Sequence, residues 1–191
     1  RGRAFIGCFL RGTGFVFDDR DPRANPLAAM RALLSSNPAS ADVIAPFLGG
    51  EEIMTDPEHR PHRWVLAFEG RSIEEAQRYP EALALLERTV QPFREARRST
   101  GADRSHRKYW WRFANHRPEL AAATIGLGHV LVIPRMSGEV TCVRVPASAV
   151  FSDQLVVVAS ASEGVLALLS SRVHACWATL MCSTLGDGLR Y

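Results

Sequence analysis

The chain of 191 residues contains no C-x-x-C pair, and its four cysteines (Cys8, Cys142, Cys176 and Cys182) stand singly. Their neighbours are apolar, which argues against a structural zinc site and fits buried, reduced thiols. No uninterrupted apolar run reaches the roughly 18 residues of a membrane span. The most apolar stretch, 165–181, is broken by Ser170, Ser171, Arg172 and His174. It reads instead as part of a core-facing helix. No basic segment followed by an apolar run opens the chain, so no signal peptide is expected and the location is expected to be cytoplasmic. Internal repeats and low-complexity linkers are missing. With 47% hydrophobic and 23% charged residues, intrinsic disorder is excluded. The length suits one domain, 1–191, and the strand-like run at its start reads as a segment of something longer.

Most motifs that carry chemistry are missing as well. Gly12-Thr13-Gly14 begins like a dinucleotide loop, but Phe17 stands where the third glycine belongs, and a strand-like run follows instead of a helix. There is no Walker A motif, no N-P-P-[YF] motif of amino-methyltransferases and no acid–acid–lysine nuclease triad. His59 and His62 lie in a proline-rich loop without a nearby cysteine and read as surface residues. A triad assembled only in space stays open.

What is present is an uneven charge. The chain carries a net +3, yet the segment 88–117 holds nine basic residues against Glu95 and Asp103 alone. This leaves a local +7 on an otherwise acidic chain, which is either a solvated helix face or the footprint of a polyanion.

Short strands are expected at Phe5–Leu10, Gly14–Phe17, Arg63–Phe68, His129–Ile133, Val140–Val145 and Gln154–Ala159. Helices are expected from Pro26 to Leu34, after the Ser72/Glu75 capping box, from Pro80 to Val90, and from Glu119 to Ile125. Ser40–Phe47 reads as a helical turn or two, and Arg94–Arg107 as a loop or frayed helix end. Ser162–Met181 has the clearest helical rhythm, with Val165, Leu168, Leu169, Val173, Cys176, Trp177 and Leu180 on one face. Strands at both ends with helices between and after them predict an α+β domain, with a mixed, mainly antiparallel sheet packed against helices.

Several blocks in order resemble one family. They are A-F-I-G-C-F-L-R-G-T-G-F (Ala4 to Phe15), V-I-A-P-F-L-G-G-E-E-I (Val43 to Ile53), P-H-R-W-V-L-A-F (Pro61 to Phe68) and E-A-Q-R-Y-P (Glu75 to Pro80). K-Y-W-W-R-F-A-N-H-R-P-E-L (Lys108 to Leu120), H-V-L-V-I-P-R-M-S (His129 to Ser137), V-F-S-D-Q-L-V-V-V-A (Val150 to Ala159) and the C-terminal blocks between Ser170 and Tyr191 follow. Together they resemble the target recognition domain of MmeI-like, type IIL restriction–modification DNA methyltransferases. The resemblance implies a non-catalytic fragment that reads double-stranded DNA in the major groove. It also implies an adenine N6-methyltransferase domain on the same polypeptide, with or without a nuclease. S-adenosylmethionine would belong to that other domain, with no cofactor and no metal held here.

The resemblance further implies two base-reading loops. One maps to His106, Arg107 and Lys108; the other follows Arg135 and runs from Ser137 through Gly138, Glu139 and Val140 to Thr141. Val140 and Thr141 stand where the family often has an arginine companion to the glutamate. The residue types suit the task, since arginine can bond guanine O6 and N7 together and glutamate can accept from cytosine N4. Arg135 fits either a groove contact or a structural salt bridge. Arg94, Arg97, Arg98, Arg104 and Arg112 suit phosphates, which position a protein without reading sequence. Trp110 and Trp111 fit either core anchors or base-stacking residues. A protein-interaction or scaffold module and a small enzyme with a spatially assembled site remain the alternative functions.

Overall fold

The computed structural model describes residues 3–96, 101–185 and 188–191. In chain order the strands are β1 (Ala4–Ile6), β2 (Val16–Phe17), β3 (Ile44–Leu48), β4 (Arg63–Leu66), β5 (His129–Pro134), β6 (Met136–Ser137), β7 (Val143–Pro146), β8 (Val150–Phe151), β9 (Leu155–Val158), β10 (Ser183–Leu185) and β11 (Gly188–Arg190). The helices are α1 (Leu27–Ser36), α2 (Gly50–Thr55), α3 (Ile73–Ala76), α4 (Pro80–Thr89), α5 (Gln91–Glu95), α6 (Gly101–Lys108), α7 (Pro118–Thr124), α8 (Glu163–Leu169) and α9 (Arg172–Met181). Strands pair antiparallel in the ladders described below, so the α+β class holds. The chain clusters into two compact units: Arg1–Gly7 with Leu48–Pro61 and Arg117–Tyr191, and Cys8–Phe47 with His62–His116.

In the first unit, strands run in the order β1-β9-β5-β7. Strand β5 is buried from Val130 to Pro134, as an apolar run between two partners should be. In β9, Leu155 and Val157 are buried while Val156 and Val158 are half-buried, the period-two pattern of a pleated strand. Leu48, Ile53, Leu120 and Phe151 complete this core. Strand β7 begins at Val143, later than expected, so 140–142 belong to the preceding loop. A smaller sheet, β10-β11-β6, carries that loop.

The expected single helix over Ser162–Met181 does not form. Ser171 caps a new helix by accepting from the His174 amide at 3.2 Å, and α8 and α9 meet at a 55° bend. Nor is the expected core face buried. Val173 is 77% exposed, Trp177 55% and Leu180 82%, and Cys176 is exposed as well. Helical periodicity marks a face as apolar; it does not supply a partner. Among the described residues no single helix is long and apolar enough to cross a membrane.

In the second unit, β4 pairs with β2 on one side and β3 on the other. Phe15, Phe17, Val65, Leu66, Phe68, Leu86 and Val90 are buried here, and Phe15 meets Phe113 edge-on at 5.3 Å. Ser40–Phe47, expected to form a helical turn or two, is helical only over Ser40–Val43. A 3-10 turn, Pro38–Val43, leads into β3, because the run Ile44–Leu48 is apolar and pairs with Arg63–Leu66. The Ser72/Glu75 box forms, with the Ser72 hydroxyl accepting from the Glu75 amide and the Glu75 carboxylate from the Ser72 amide. Gly14 serves packing here: a Cβ on it would stand 2.6 Å from the Thr89 hydroxyl oxygen, and that hydroxyl donates to the Gly14 carbonyl.

Candidate functional site

The basic segment contains more helix than its polar sequence suggests. Arg94 lies on α5, and Gly101–Lys108 forms α6, with Arg97 and Arg98 outside the described residues. Spacings of three and four place Arg104, Arg107 and Lys108 on one face of α6. Arg104 and Lys108 are exposed and Arg107 half-buried. Asp103 and His106, three apart, share the inner side, with Arg107 at its edge. Asp103 is only 6% exposed and binds the Arg11 guanidinium at 2.6 Å. Asp103 in the first turn and basic residues in the last also suit the helix dipole.

His106 and Arg94 are not placed as their expected roles require. The His106 ring turns inward, with Nε2 3.1 Å from the Ala114 carbonyl oxygen. Desolvation lowers its pKa, and Arg11 pushes it the same way. A ring held on a backbone carbonyl is not free to read a base. Arg94 is 2% exposed. Its Nη1 donates to the carbonyls of His106, Tyr109 and Trp110, each at 3.2 Å. Its Nη2 donates to the Leu10 carbonyl at 3.0 Å, and the guanidinium lies 5.1 Å from the Phe15 ring centre. Burial pulls its pKa down to about 10, with Glu69 opposing, so it remains a cation at neutral pH. A guanidinium committed to four carbonyls inside the unit does not reach a phosphate.

Arg112 is also committed: its Nε and Nη2 both donate to the Arg71 carbonyl, and the Trp111 indole N–H donates to the same oxygen. Trp111 is buried and Trp110 half-buried, which favours the anchoring role for Trp111. Tyr109 is exposed, with Lys108 Nζ and the Arg112 guanidinium each 5.2 Å from its ring. Behind these residues, Glu69 accepts from the Phe113 amide at 2.7 Å. Burial raises the Glu69 carboxyl to about 7, against the pull of that amide, Arg112 and Arg94.

The second candidate loop lies in the first unit. Arg135 is half-buried and donates to the Asp153 carbonyl at 2.9 Å. That bond is structural, although the contact is to a carbonyl and not a salt bridge. Beyond it, the Ser137 hydroxyl donates to the Glu139 carbonyl and closes the turn. This fold-back leaves Glu139 exposed, with Val140 and Thr141 half-buried. Glu139 and Val140 line a groove of about 380 Å³ against Ala175 and Thr179 of α9 and Thr184 and Leu189 of the small sheet. Beside it, burial pushes the Cys142 thiol up to about 11, which keeps it protonated and inert.

Asp103, Arg11 and Glu69 thus belong to the site's support, although composition does not mark them. The one available signal is Asp103 itself, one of two acids in the basic run and one helical turn before His106. Among the described residues no three His, Cys, Asp or Glu side chains converge as metal ligands would.

The family described as MmeI, target recognition domain, matches residues 26–191. The chain belongs to this family. A solved structure of the type IIL restriction-modification enzyme MmeI in complex with DNA shares the fold over 100% of this chain, with a TM-score of 0.75 and 22% identity. The chain spans 23% of that protein. Among curated proteins none matches the chain.

Proposed function

We propose that residues 1–191 form one recognition domain that reads a specific sequence in double-stranded DNA. In this reading it directs an adenine N6-methyltransferase, with or without a nuclease, on the same cytoplasmic polypeptide. That enzyme domain would bind S-adenosylmethionine and carry out the chemistry, while this chain would hold no cofactor. The observation that carries the reading is the outward basic face of α6, which family membership and the DNA complex of MmeI support.

Each residue then has a physical task. Arg104 and Lys108 neutralise phosphates and position the domain without reading sequence. Arg107 offers a two-pronged donor to guanine O6 and N7, a pair worth ~1–3 kcal/mol of discrimination. Glu139 accepts from cytosine N4, and Thr141 lies beside it on the same loop. Lys108 can serve base or phosphate. His106, Arg94, Arg112 and Arg135 support the backbone, while Arg97 and Arg98 retain the phosphate role expected from sequence.

A salt titration of the intact protein on a mixed-sequence duplex, with heparin as a competing polyanion, tests this. The logarithm of affinity should fall linearly with the logarithm of salt, and duplex should be preferred over heparin. Affinity independent of salt, or equal affinity for both polyanions, would exclude the reading.

The apolar face of α8 and α9 favours a second task, docking to protein. It is compatible with the first if that face meets another domain of the same polypeptide. Amides 163–181 should then exchange more slowly in the full-length protein than in the isolated chain. Equal exchange in both would remove the docking task.

A further inference from the structure

We propose that Arg94 is a positioning residue for DNA reading: from inside the unit, it sets the direction in which α6 holds Arg107 and Lys108. The proposal rests on the recognition function argued above and adds the device that makes the reading helix rigid.

The last turn of any helix leaves carbonyls without intrahelical partners. At the end of α6 these are needed at an abrupt change of direction, where the chain passes from Lys108 into the Tyr109–Trp111 turn. The His106, Tyr109 and Trp110 carbonyls all point to one guanidinium nitrogen, Arg94 Nη1. That nitrogen has two protons for three acceptors, so the bonds are shared. A fork of planar donors can meet such a cup, whereas an ammonium on a flexible stem cannot reproduce it together with the Leu10 bond. The other end of α6 is held by the Arg11–Asp103 pair. Arg11 keeps a left-handed backbone, φ 52°, in reaching it, a conformation that costs a non-glycine residue energy and persists where its surroundings enforce it. Between the two ends, the His106 ring bonds the Ala114 carbonyl. The inner side of α6 is thus fastened at three points, while the outer side carries cations. Base reading needs contact groups placed to a fraction of an ångström. A short polar helix of eight residues has little intrinsic stability to supply that.

The test is Arg94→Lys in the intact protein, with two readouts. Amide exchange reports the clamp without DNA: residues 101–112 should exchange about tenfold faster or more, while β5 and β9 stay unchanged. Selection from short duplexes with a randomised centre reports reading. The sequence enriched by the parent should lose its advantage over a scrambled duplex by about tenfold, while the salt slope stays within half a phosphate of the parent's. A slope lowered by a full phosphate contact would make Arg94 a DNA ligand and overturn the proposal. Unchanged exchange in 101–112 would also overturn it, as would unchanged discrimination in the folded variant. If Arg94→Lys does not fold, Asp103→Asn releases the opposite end of α6 and is held to the same outcomes. Failure of the parent to bind any duplex would instead overturn the recognition function, with the exchange readout still reporting on the clamp.

Discussion

Replacing Glu69 by glutamine should stabilise the protein at alkaline pH and leave it nearly unchanged in acid. Glu69 accepts from the Phe113 amide, its second oxygen is 3.5 Å from His116 Nδ1, and Arg94 and Arg112 act on it through their charge. Despite these partners, burial raises its pKa from 4.5 to about 7. The folded protein therefore holds a proton that the unfolded chain releases above about pH 4.5. The carboxyl's contribution to stability is complete below pH 4.5, falls as pH rises, and is lost by about pH 7. At ~1.4 kcal/mol per pKa unit, the full loss is ~3 kcal/mol. Glutamine keeps the acceptor for Phe113 but cannot ionise, so it escapes this loss. Urea unfolding of parent and variant, followed by tryptophan fluorescence from pH 4 to pH 8.5, would measure the difference directly. The variant should match the parent near pH 4 and exceed it by ~1–3 kcal/mol above pH 7. A difference independent of pH would refute the argument. A variant less stable than the parent at pH 8 would show that the Phe113 amide and the charges of Arg112 and Arg94 outweigh desolvation.

Other substitutions probe the frame and the basic face. A Cβ added at Gly7 would stand 2.2 Å from the Ser152 carbonyl oxygen, so Gly7→Ala should cost ~3 kcal/mol or more in thermal unfolding; a cost near zero would contradict that close approach. Leu155→Ala opens a cavity in the fully buried centre of the first core and should cost ~2–5 kcal/mol by the same measurement. Ser171→Ala removes the cap of α9 and should cost ~1 kcal/mol, with helical circular dichroism reporting the fraying. Arg104→Gln and Lys108→Gln should each lower the slope of log affinity against log salt by ~0.9 in fluorescence anisotropy on a mixed-sequence duplex. An unchanged slope in both would remove them from the phosphate contacts.

Local signals in the sequence were legible where local chemistry decides the outcome. The Ser72/Glu75 box caps its helix, Pro80 starts α4, and Val130–Ile133 forms a buried strand between two partners. Tertiary contacts decide the rest. Gly101–Lys108 is too polar to read as a stable helix, and the bonds around it come from Arg11, Arg94 and Ala114, with Arg11 distant in sequence. Arg94 and Arg104 look alike in a charge count, yet one fills a carbonyl cup and the other faces outward. The α8–α9 face has a core rhythm, but only Ala178 on these two helices is buried. On the second loop, Glu139 is exposed, and the Ser137 turn that holds it needs only neighbouring residues.

Arg107 and Glu139 are each proposed to read a base. The direct measurement is selection from short duplexes with a randomised centre, using the intact protein and its Arg107→Ala and Glu139→Ala variants. One enriched sequence is expected for the parent, with each variant relaxing the preference at a different base pair and keeping the others. No enriched sequence for the parent, or the parent's full sequence retained by both variants, would contradict it.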